Sequence, residues 1–430
     1  MRALIGAAIL AAVMADRGAA QDFTTLKGHG GPVMGIAVSE DGTVATASFD
    51  NSAARWTGRT PAWLEGHDAA VTVVAFVDET RIVSGGDDFT VRLWQDGQGR
   101  LLGEHLGKVT ALAVSPDGAT VASGSWDGSI LLHPLAEGET RTLADPRSGV
   151  NAVAFSADGG TLYAGTMDGA LLAYDLSTDD TPTVLVEHGF GVNEVIAGDG
   201  WIAYGAVDGG TRVIDAATGT QIADFTLDRR PILSMAWDAG TAQLAVGDGQ
   251  GYIMVVDTTG WTIARDFRAT RQGPVWALDF SPDGQTLYAG GLDDVVYAWP
   301  VAALDTFEPA MGQERSFLRD ADTMPNGERQ FMRKCSICHA LEPGPSRKAG
   351  PTLYGVFGRQ AGTVADYPYS PRLDGSDIVW TEETIDDLFE IGPDHYIPGS
   401  KMPMQVIAGE NDRADLVAYL RQATAKETDQ

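Results

Sequence analysis

The sequence predicts a multidomain protein in which an all-β propeller of seven blades is followed by a small all-α domain. A unit of about 40 residues with four short strands repeats along most of the 430-residue chain, and such a period is typical of β-propellers. Near the end, apolar residues instead recur at helical spacing on either side of a Cys-X-X-Cys-His motif. We divide the chain into a signal peptide (1–20), the propeller (21–301), a linker (302–322) and the helical domain (323–430).

The first 20 residues have the features of a secretory signal peptide. Arg2 precedes an apolar run from Ala3 to Met14, and small residues follow up to Ala20, after which we expect cleavage. The run is too short for a typical membrane-spanning helix, although an uncleaved anchor is the alternative. We therefore expect an exported protein that has no transmembrane segment after cleavage.

Residues 22–301 contain a repeated unit that is clearest in its first three copies. Alternating apolar and polar residues, separated by Asp-Gly-type turns, predict short antiparallel strands in each copy. The landmarks of the three copies are His29, Val33, Asp50 and Trp56; His67, Val71, Asp88 and Trp94; and His105, Val109, Asp127 and His133. The valines are 38 residues apart. A starting histidine with a turn aspartate six residues before a tryptophan resembles the WD-repeat family.

Four weaker copies follow, which gives seven units, with six or eight as the alternatives. Their turn residues are Asp168, Asp208, Gln250 and Asp293, and the residues at the tryptophan position are Tyr174, Ile214, Val256 and Trp299. The resemblance to WD repeats implies that histidine, turn aspartate and tryptophan form one hydrogen-bonded network in each strong unit. His29, His67 and His105 are therefore expected to be structural and not metal ligands. In units five and six, where this network is missing, we expect apolar packing to hold the blade.

A ring of blades needs a closing contact, because an open propeller leaves a sheet edge unpaired. Residues 22–26, with the sequence Asp-Phe-Thr-Thr-Leu, precede the first unit and have no strand partner within it. We predict that they form the outer strand of the seventh blade, beside residues 295–299.

Residues 335–339, Cys-Ser-Ile-Cys-His, contain both cysteines of the chain. The pattern is typical of the attachment of a c-type haem, in which each thiol forms a thioether and the histidine ligates the iron. It predicts one covalent haem c, with Cys335 and Cys338 as the attachment residues and His339 as the proximal ligand. Two cysteines exclude a disulfide framework and a four-thiolate site, whereas a two-thiolate zinc site or a redox dithiol remains as an alternative.

The second axial ligand should lie downstream, on a loop that folds over the opposite face of the haem. Met402 fits this role because it follows a stiff Pro-Gly segment and because thioether sulfur suits low-spin iron. Met404 and His395 are the alternatives. Met404 lies two residues away and would point to the other side of an extended loop, where we expect it to fill the core.

The segment from about residue 325 to 425 resembles a class I c-type cytochrome, close to the mitochondrial and bacterial photosynthetic-type group. Phe331 resembles the helix-packing aromatic residue of that family, and residues 412–421 resemble its terminal helix, which crosses the first one. The resemblance also implies a haem environment. Its members are Pro351, which accepts a hydrogen bond from His339; Arg359, Tyr369 and Trp380, which bind a buried propionate; and Ser400, beside the axial methionine.

The chain is strongly acidic, with a formal net charge of −29. This charge argues against nucleic acid as a partner and favours basic proteins, although an acidic surface also suits a salty habitat. Residues 323–430 contain 11 Lys and Arg against 16 Asp and Glu, a net charge of −5. That value departs from the lysine ring with which related cytochromes dock on acidic partners.

Together these features predict a periplasmic electron carrier, since bacteria attach haem c on the outer side of the inner membrane. His339 and Met402 would fill both axial positions, which disfavours chemistry at the haem. The propeller is then a platform for periplasmic redox proteins and for another docked protein. The alternative is an oxidoreductase with a second cofactor or substrate site in the propeller, where His188 could reach the central channel. A haem-based sensor or assembly scaffold is the third class.

Overall fold

The structure, a computed structural model, describes residues 24–306 and 323–426. Short gaps within these ranges fall at residues 144–145, 179–180, 230, 271–272 and 366. The predicted signal peptide and most of the predicted linker lie outside the described residues. Within the described part of the chain, no helix is long and apolar enough to cross a membrane.

The described residues contain seven antiparallel sheets of four strands, and each sheet is one blade of a propeller, as predicted. Strand β1 is Thr24–Lys27. Blade one has β2 Val33–Val38, β3 Val44–Ser48, β4 Ser52–Thr57 and β5 Thr60–Glu65; blade two has β6 Val71–Phe76, β7 Arg81–Gly86, β8 Thr90–Gln95 and β9 Gln98–Glu104. Blade three has β10 Val109–Val114, β11 Thr120–Ser125, β12 Ile130–Pro134 and β13 Arg141–Thr142; blade four has β14 Val150–Phe155, β15 Thr161–Thr166, β16 Ala170–Asp175 and β17 Thr183–Glu187. Blade five has β18 Val192–Ala197, β19 Trp201–Ala206, β20 Thr211–Asp215 and β21 Gln221–Asp224; blade six has β22 Ile232–Asp238, β23 Gln243–Asp248, β24 Tyr252–Asp257 and β25 Thr262–Arg268; blade seven has β26 Val275–Phe280, β27 Thr286–Gly291 and β28 Val295–Pro300.

Neighbouring blades pack through a β-branched residue at the start of each inner strand. These residues are at most 4% exposed: Val33, Val71, Val109, Val150, Val192, Ile232 and Val275. Glycines of the preceding blade make room for them, since a Cβ on Gly85 would lie 2.5 Å from Val109 Cγ1, and one on Gly124 would lie 2.6 Å from Val150 Cγ1. Burial of each such side chain contributes about 1.5–3 kcal/mol, so apolar contacts between blades hold the ring.

The ring is closed by the first strand of the chain, which confirms the predicted clasp. Strand β1 pairs with β28 in antiparallel register, with Thr24 opposite Ala298 and Lys27 opposite Val295. It thereby becomes the outer strand of blade seven, in the order β26-β27-β28-β1. The pairing covers the sheet edge that an open propeller would expose.

In blade one the predicted histidine network is present and contains a hydroxyl group that the sequence analysis did not include. His29 Nδ1 lies 3.0 Å from Asp50 Oδ2, and His29 Nε2 lies 2.7 Å from Thr46 Oγ1. Trp56 Nε1 donates to the same Thr46 oxygen at 2.9 Å. Thr46 therefore connects the histidine to the tryptophan.

Blade two repeats this network with a serine in the central place. Ser84 Oγ lies 2.7 Å from His67 Nε2 and 2.7 Å from Trp94 Nε1, while His67 Nδ1 lies 2.9 Å from Asp88. Blade three repeats it with a histidine in place of the tryptophan, through His105, Ser123 and His133. The expectation that His29, His67 and His105 are structural is consistent with these contacts.

Blades five and six have buried apolar clusters, as expected, and they also contain charged pairs that the sequence did not predict. In blade five, Asp208 lies 3.2 Å from His188 Nε2 and 3.4 Å from Arg212 Nη2. In blade six, Arg229 Nε lies 2.9 Å from Asp248 Oδ2. His188 pairs with Asp208, at the turn where other blades have the His–Asp–Trp network. It does not line the central channel, which corrects the suggestion that it could reach it.

The helical domain has four α-helices among its described residues: α1 Asn326–Lys334, α2 Glu382–Ile391, α3 Pro393–Tyr396 and α4 Glu410–Ala423. Helices α1 and α4 cross as predicted, with the rings of Phe331 and Tyr419 5.6 Å apart. Gly327 permits the close approach, since a Cβ there would collide with the backbone of Asp415 and lie 2.8 Å from Tyr419 Cβ.

A 3₁₀ helix, Val301–Thr306, follows the last propeller strand. Val301 and Leu304 are buried in the same apolar cluster as Trp299. The first part of the segment that the sequence analysis assigned to the linker is thus packed on the propeller, because its apolar side chains extend the core of blade seven.

One edge of the propeller, which we call the turn face, carries two kinds of connection. Because successive antiparallel strands alternate in direction, the turn between the second and third strands of a blade and the connection to the next blade lie at the same edge. The described turns are at residues 49–51, 87–89, 126–129, 167–169, 207–210, 249–251 and 292–294. The described residues of the connections are 28–32, 66–70, 105–108, 143 and 146–149, 188–191, 225–229 and 231, and 269–270 and 273–274.

Candidate functional site

The Cys-X-X-Cys-His segment directly follows helix α1. The Cys335 backbone N–H donates to Phe331 O at 2.8 Å, and the His339 N–H donates to Cys335 O at 2.9 Å. The segment therefore continues as one more helical turn, which presents Cys338 on the same side as Cys335. Both cysteines are free, and both line one cavity of the helical domain.

The surroundings of the two thiols favour thioether attachment over the zinc and dithiol alternatives. Burial raises the pKa of the Cys335 thiol to about 12 and that of the Cys338 thiol to about 11. A redox dithiol instead depends on a thiolate whose pKa is lowered by nearby positive charge, and a zinc site needs several ligands close together. Among the described residues, the group of three potential ligands close enough to share an ion lies on helix α2, at Asp386, Asp387 and Glu390.

His339 is oriented by the loop that contains Gly350 and Pro351. Its Nδ1 lies 2.8 Å from Pro351 O, and because a carbonyl only accepts, Nδ1 carries the proton and Nε2 is left to ligate a metal. A Cβ on Gly350 would lie 2.7 Å from His339 Nδ1, so glycine allows the loop to pass beside the ring. Burial lowers the pKa of His339, which keeps the imidazole neutral, the form that binds iron.

The cavity beside these residues has a volume of about 660 Å³. All nine residues predicted for the haem site line it: Cys335, Cys338, His339, Pro351, Arg359, Tyr369, Trp380, Ser400 and Met402. Apolar side chains form much of the remaining wall: Leu353, Val356, Leu373, Ile385, Leu388, Phe389, Ile397 and Leu420. A large apolar cavity with a few polar groups at its wall fits a macrocycle that carries two carboxylates.

Of the three candidates for the second axial ligand, Met402 lies on the cavity wall. Its backbone N–H donates to Ser400 Oγ at 3.3 Å, which shapes the loop around it. Met404 is 46% exposed and lies outside the cavity wall, so the expectation that it fills the core is wrong. His395 is exposed and also lies outside the cavity wall.

Arg359 brings a positive charge to the otherwise apolar wall. Its guanidinium donates to Tyr354 O and to Thr352 O, both at 2.8 Å, which fixes the group beside the cavity. The backbone N–H of Trp380 donates to Arg359 O at 2.9 Å, so the tryptophan and the arginine are held together. With Tyr369 on the same wall, this side of the cavity can pair a buried carboxylate.

Ser370 is a site residue that the sequence analysis missed. It is 5% exposed and lines the cavity, and its Oγ has no hydrogen-bond partner among the described residues. A buried hydroxyl without a partner costs about 1–3 kcal/mol, so its presence fits a bound group that supplies an acceptor. A single serine in a loop gives no sequence pattern from which this role could be found.

The propeller also contributes to the cavity, which the sequence analysis did not predict. Residues of the turn face form part of the same wall: Phe49, Asn51, Asp68, Ala69, Ala70, Asp87, Phe89 and Lys108. The site is thus built from both domains.

Known proteins are similar to the helical domain over nearly its whole length. The family described as Cytochrome c matches residues 325–424. Cytochrome c of Ginkgo biloba is 42% identical over 101 residues, which are 24% of this chain and 88% of that protein. Cytochrome c of Gossypium barbadense is 44% identical over 99 residues (23% and 88%), and that of Theileria parva is 43% identical over 100 residues (23% and 85%). The chain belongs to the cytochrome c family.

The cytochrome c domain follows a propeller that is similar to a second family, described as WD domain, G-beta repeat. The matched segments are residues 21–57, 58–95, 98–133, 138–175 and 261–300. The interval between the last two contains blade five and the first three strands of blade six, the two blades in which charged pairs replace the repeat network. The predicted fold, a seven-bladed WD-repeat propeller followed by a cytochrome c domain, is confirmed.

The residues of the cytochrome c domain suit one covalent haem c. A haem supplies reversible one-electron chemistry at its iron. In this chain Cys335 and Cys338 would hold it by thioether bonds, His339 presents a neutral nitrogen, and the apolar wall excludes water. Such a domain exchanges electrons with redox partners.

A second cavity, of about 490 Å³, lies in the central channel of the propeller, where the inner strands line it. Glu194 and Asp279 are part of this lining, and burial raises their pKa values to about 8 and about 7. Asp279 Oδ2 accepts a hydrogen bond from the Val38 backbone N–H at 2.7 Å. That bond joins blade seven to blade one and gives this carboxyl a structural role.

Proposed function

We propose that this protein is a periplasmic electron carrier with a single haem c, and that its propeller is a docking platform for redox partners. The observation that carries the proposal is that His339 and Met402 line the same cavity as both attachment cysteines. Ligation by both residues leaves the iron no open position, so the haem passes single electrons and binds no substrate.

Two features support export to the periplasm. Residues 1–20, which lie outside the described residues, have the pattern of a signal peptide. The attachment cysteines suit a haem that bacteria join to the protein after export. Mass spectrometry of the mature protein should give a chain that begins at Gln21 and carries the mass of one haem; a chain that retains its first 20 residues would contradict export with cleavage.

Exposed apolar side chains on the turn face support a docking role for the propeller. Large apolar residues between 43% and 91% exposed lie in its turns and connections: Leu106, Trp126, Met167, Phe190 and Val207. A run of such residues along one face is typical of a surface that binds another protein. The face also carries the wall of the haem cavity, so a partner bound there would lie close to the redox centre.

The experiment that tests electron transfer is an optical and redox titration of the parent, Met402→Ala and Met404→Ala. The parent should show the methionine–sulfur charge-transfer band of oxidised haem near the red end of the spectrum and should not bind carbon monoxide. Met402→Ala should lose the band, bind carbon monoxide and have a lower reduction potential, because a soft thioether stabilises ferrous iron. Met404→Ala is the matched control and should resemble the parent.

Two outcomes of this titration would contradict the proposal. Carbon monoxide binding by the parent would indicate an open iron site. A second redox-active species in the parent would favour the alternative, an oxidoreductase with another site in the propeller, for which the central channel offers the space.

A further inference from the structure

Phe89 has a backbone conformation that is unusual for an aromatic residue. It is the last residue of turn 87–89 and has a φ of 69°, in the left-handed region that favours glycine. At the same turn position, blades three to six have glycine, with φ between 83° and 92°: Gly128, Gly169, Gly209 and Gly251. Strained backbone conformations of non-glycine residues cluster at functional sites, which indicates that the side chain at position 89 has a role.

Phe89 belongs to the wall of the haem cavity. Phe49, from the equivalent turn of blade one, lines the cavity as well, and Ala69 and Ala70 lie in the connection between these two blades. Phe89 is 41% exposed although it borders the cavity. Four of the eight residues that the propeller contributes to this wall are thus apolar, and the two carboxylates among the others, Asp68 and Asp87, are paired with Lys401 and Lys108.

Two ion pairs hold the cytochrome c domain against the turn face. Lys401, the neighbour of Met402 in the chain, donates from Nζ to Asp68 Oδ1 at 2.8 Å. Arg347 donates from Nη2 to Glu65 Oε1 at 2.9 Å. Both pairs are partly exposed, so salt should weaken them.

Close packing accompanies these charges. The Arg347 guanidinium lies over the Trp63 ring, 3.7 Å from its centroid. At Gly30 a Cβ would lie 2.7 Å from the Lys348 backbone nitrogen, so glycine lets the two backbones meet. The contact thus combines charge complementarity with a fitted backbone surface.

We propose that the haem site is bipartite, with the propeller, through Phe89 and Phe49, acting as an outer wall that excludes water and raises the reduction potential. The inference rests on the proposed haem-dependent function. Ferric haem carries one more positive charge than ferrous haem, and an apolar wall destabilises the more charged form. Phe89 acts on the redox centre by excluding water from it. The ion pairs of Asp68 and Glu65 hold the propeller wall against the cytochrome c domain.

The first test is Phe89→Gly in the full-length, haem-loaded protein. Glycine is the residue of four other blades at this position and relieves the strain, so the propeller should remain at least as stable as the parent in urea. The potential should fall by an amount equal to a roughly threefold to tenfold change in the reduction equilibrium, with tenfold being about 59 mV for one electron. The control is Asp96→Gly, which relieves a φ of 51° in the turn at the opposite edge of blade two and should leave the potential unchanged.

The second test measures docking without reference to redox activity. Asp68→Lys should repel Lys401 and increase the radius of gyration of the haem-loaded protein in small-angle X-ray scattering. Adding Lys401→Asp should restore the pair with reversed signs and return the parent radius. Glu137→Lys, an equal change of charge at an exposed loop away from the contact, is the control.

The outcomes separate this inference from the proposed function. If the parent has the spectrum of a His/Met haem, and Phe89→Gly and Asp68→Lys leave both potential and radius at the parent values, the bipartite site is refuted and the electron carrier stands. If the parent lacks that spectrum, the proposed function fails and this inference fails with it. If the potential falls in Phe89→Gly but not in Asp96→Gly, and the charge swap restores the parent radius, the bipartite site is supported.

Discussion

Replacing Ser84 with alanine tests the hydroxyl-centred network of the propeller. Ser84 Oγ lies between two ring nitrogens, 2.7 Å from His67 Nε2 and 2.7 Å from Trp94 Nε1. Because His67 Nδ1 faces the Asp88 carboxylate, Nδ1 carries the proton and Nε2 accepts from the serine hydroxyl, while Trp94 donates to the same oxygen. Ser84→Ala therefore removes the partners of one buried donor and one buried acceptor.

The size of the effect follows from the burial of these groups. Ser84 is 0% exposed, Trp94 2% and His67 7%, so water does not replace the lost hydroxyl. Each of the two buried polar groups left without a partner costs about 1–3 kcal/mol, which gives an expected loss of about 2–6 kcal/mol in the free energy of unfolding. A domain is stable by only about 5–15 kcal/mol, so the variant should be severely weakened.

Urea unfolding followed by tryptophan fluorescence measures this loss, with haem absorbance reporting the cytochrome c domain separately. Ser84→Thr is the matched control, because Thr46 holds the same place between His29 and Trp56 in blade one. It should stay within about 1.5 kcal/mol of the parent. If Ser84→Ala is as stable as Ser84→Thr, the hydroxyl does not support the blade and the reasoning is refuted.

Three further predictions concern charge, helix packing and ring closure. Glu194 and Asp279 have raised pKa values of about 8 and about 7, so they favour the folded propeller at low pH, and stability should fall as pH rises from about 4 to 8. Urea titrations across that range should show a flatter dependence in Glu194→Gln, and an equal slope would contradict the assignment. Gly327→Ala should destabilise the cytochrome c domain by about 1–3 kcal/mol in thermal unfolding, because its Cβ meets Asp415; an unchanged midpoint would show that the helices can separate cheaply. Deleting residues 24–27 should expose the edge of β28 and cause association visible by light scattering, whereas a monomeric product would show that the clasp is dispensable.

Local sequence patterns predicted a large part of this molecule because they report short-range geometry. The Cys-X-X-Cys-His spacing corresponds to one helical turn, and the structure has that turn at the end of α1. The repeat landmarks predicted seven blades, because a four-stranded unit with fixed turns forms the same way each time. Even the clasp by β1 could be predicted, since a strand without a partner in its own unit has to pair with the last one.

Other features could not be predicted because several side chains can satisfy the same structural need. In blades five and six, ion pairs of Asp208 and Asp248 replace the repeat network. No repeat pattern marks Arg212, on the strand after the turn, or Arg229, in the connection before blade six. Ser370 was missed for a related reason. Its role depends on being buried beside the cavity, and burial of a loop residue is set by what packs over it.

The sequence by itself determined the two folds and predicted the haem-attachment residues and the proximal histidine, since these follow from repeats and spacings within a few dozen residues. Only the tertiary structure decided that Phe89 faces the same cavity as Met402, and that Lys401 meets Asp68. These pairs are far apart in the chain and belong to different domains. Backbone sterics and local hydrogen bonds fix a helix or a blade, but the fit of two finished surfaces, through their charges and apolar area, fixes which residues meet across them.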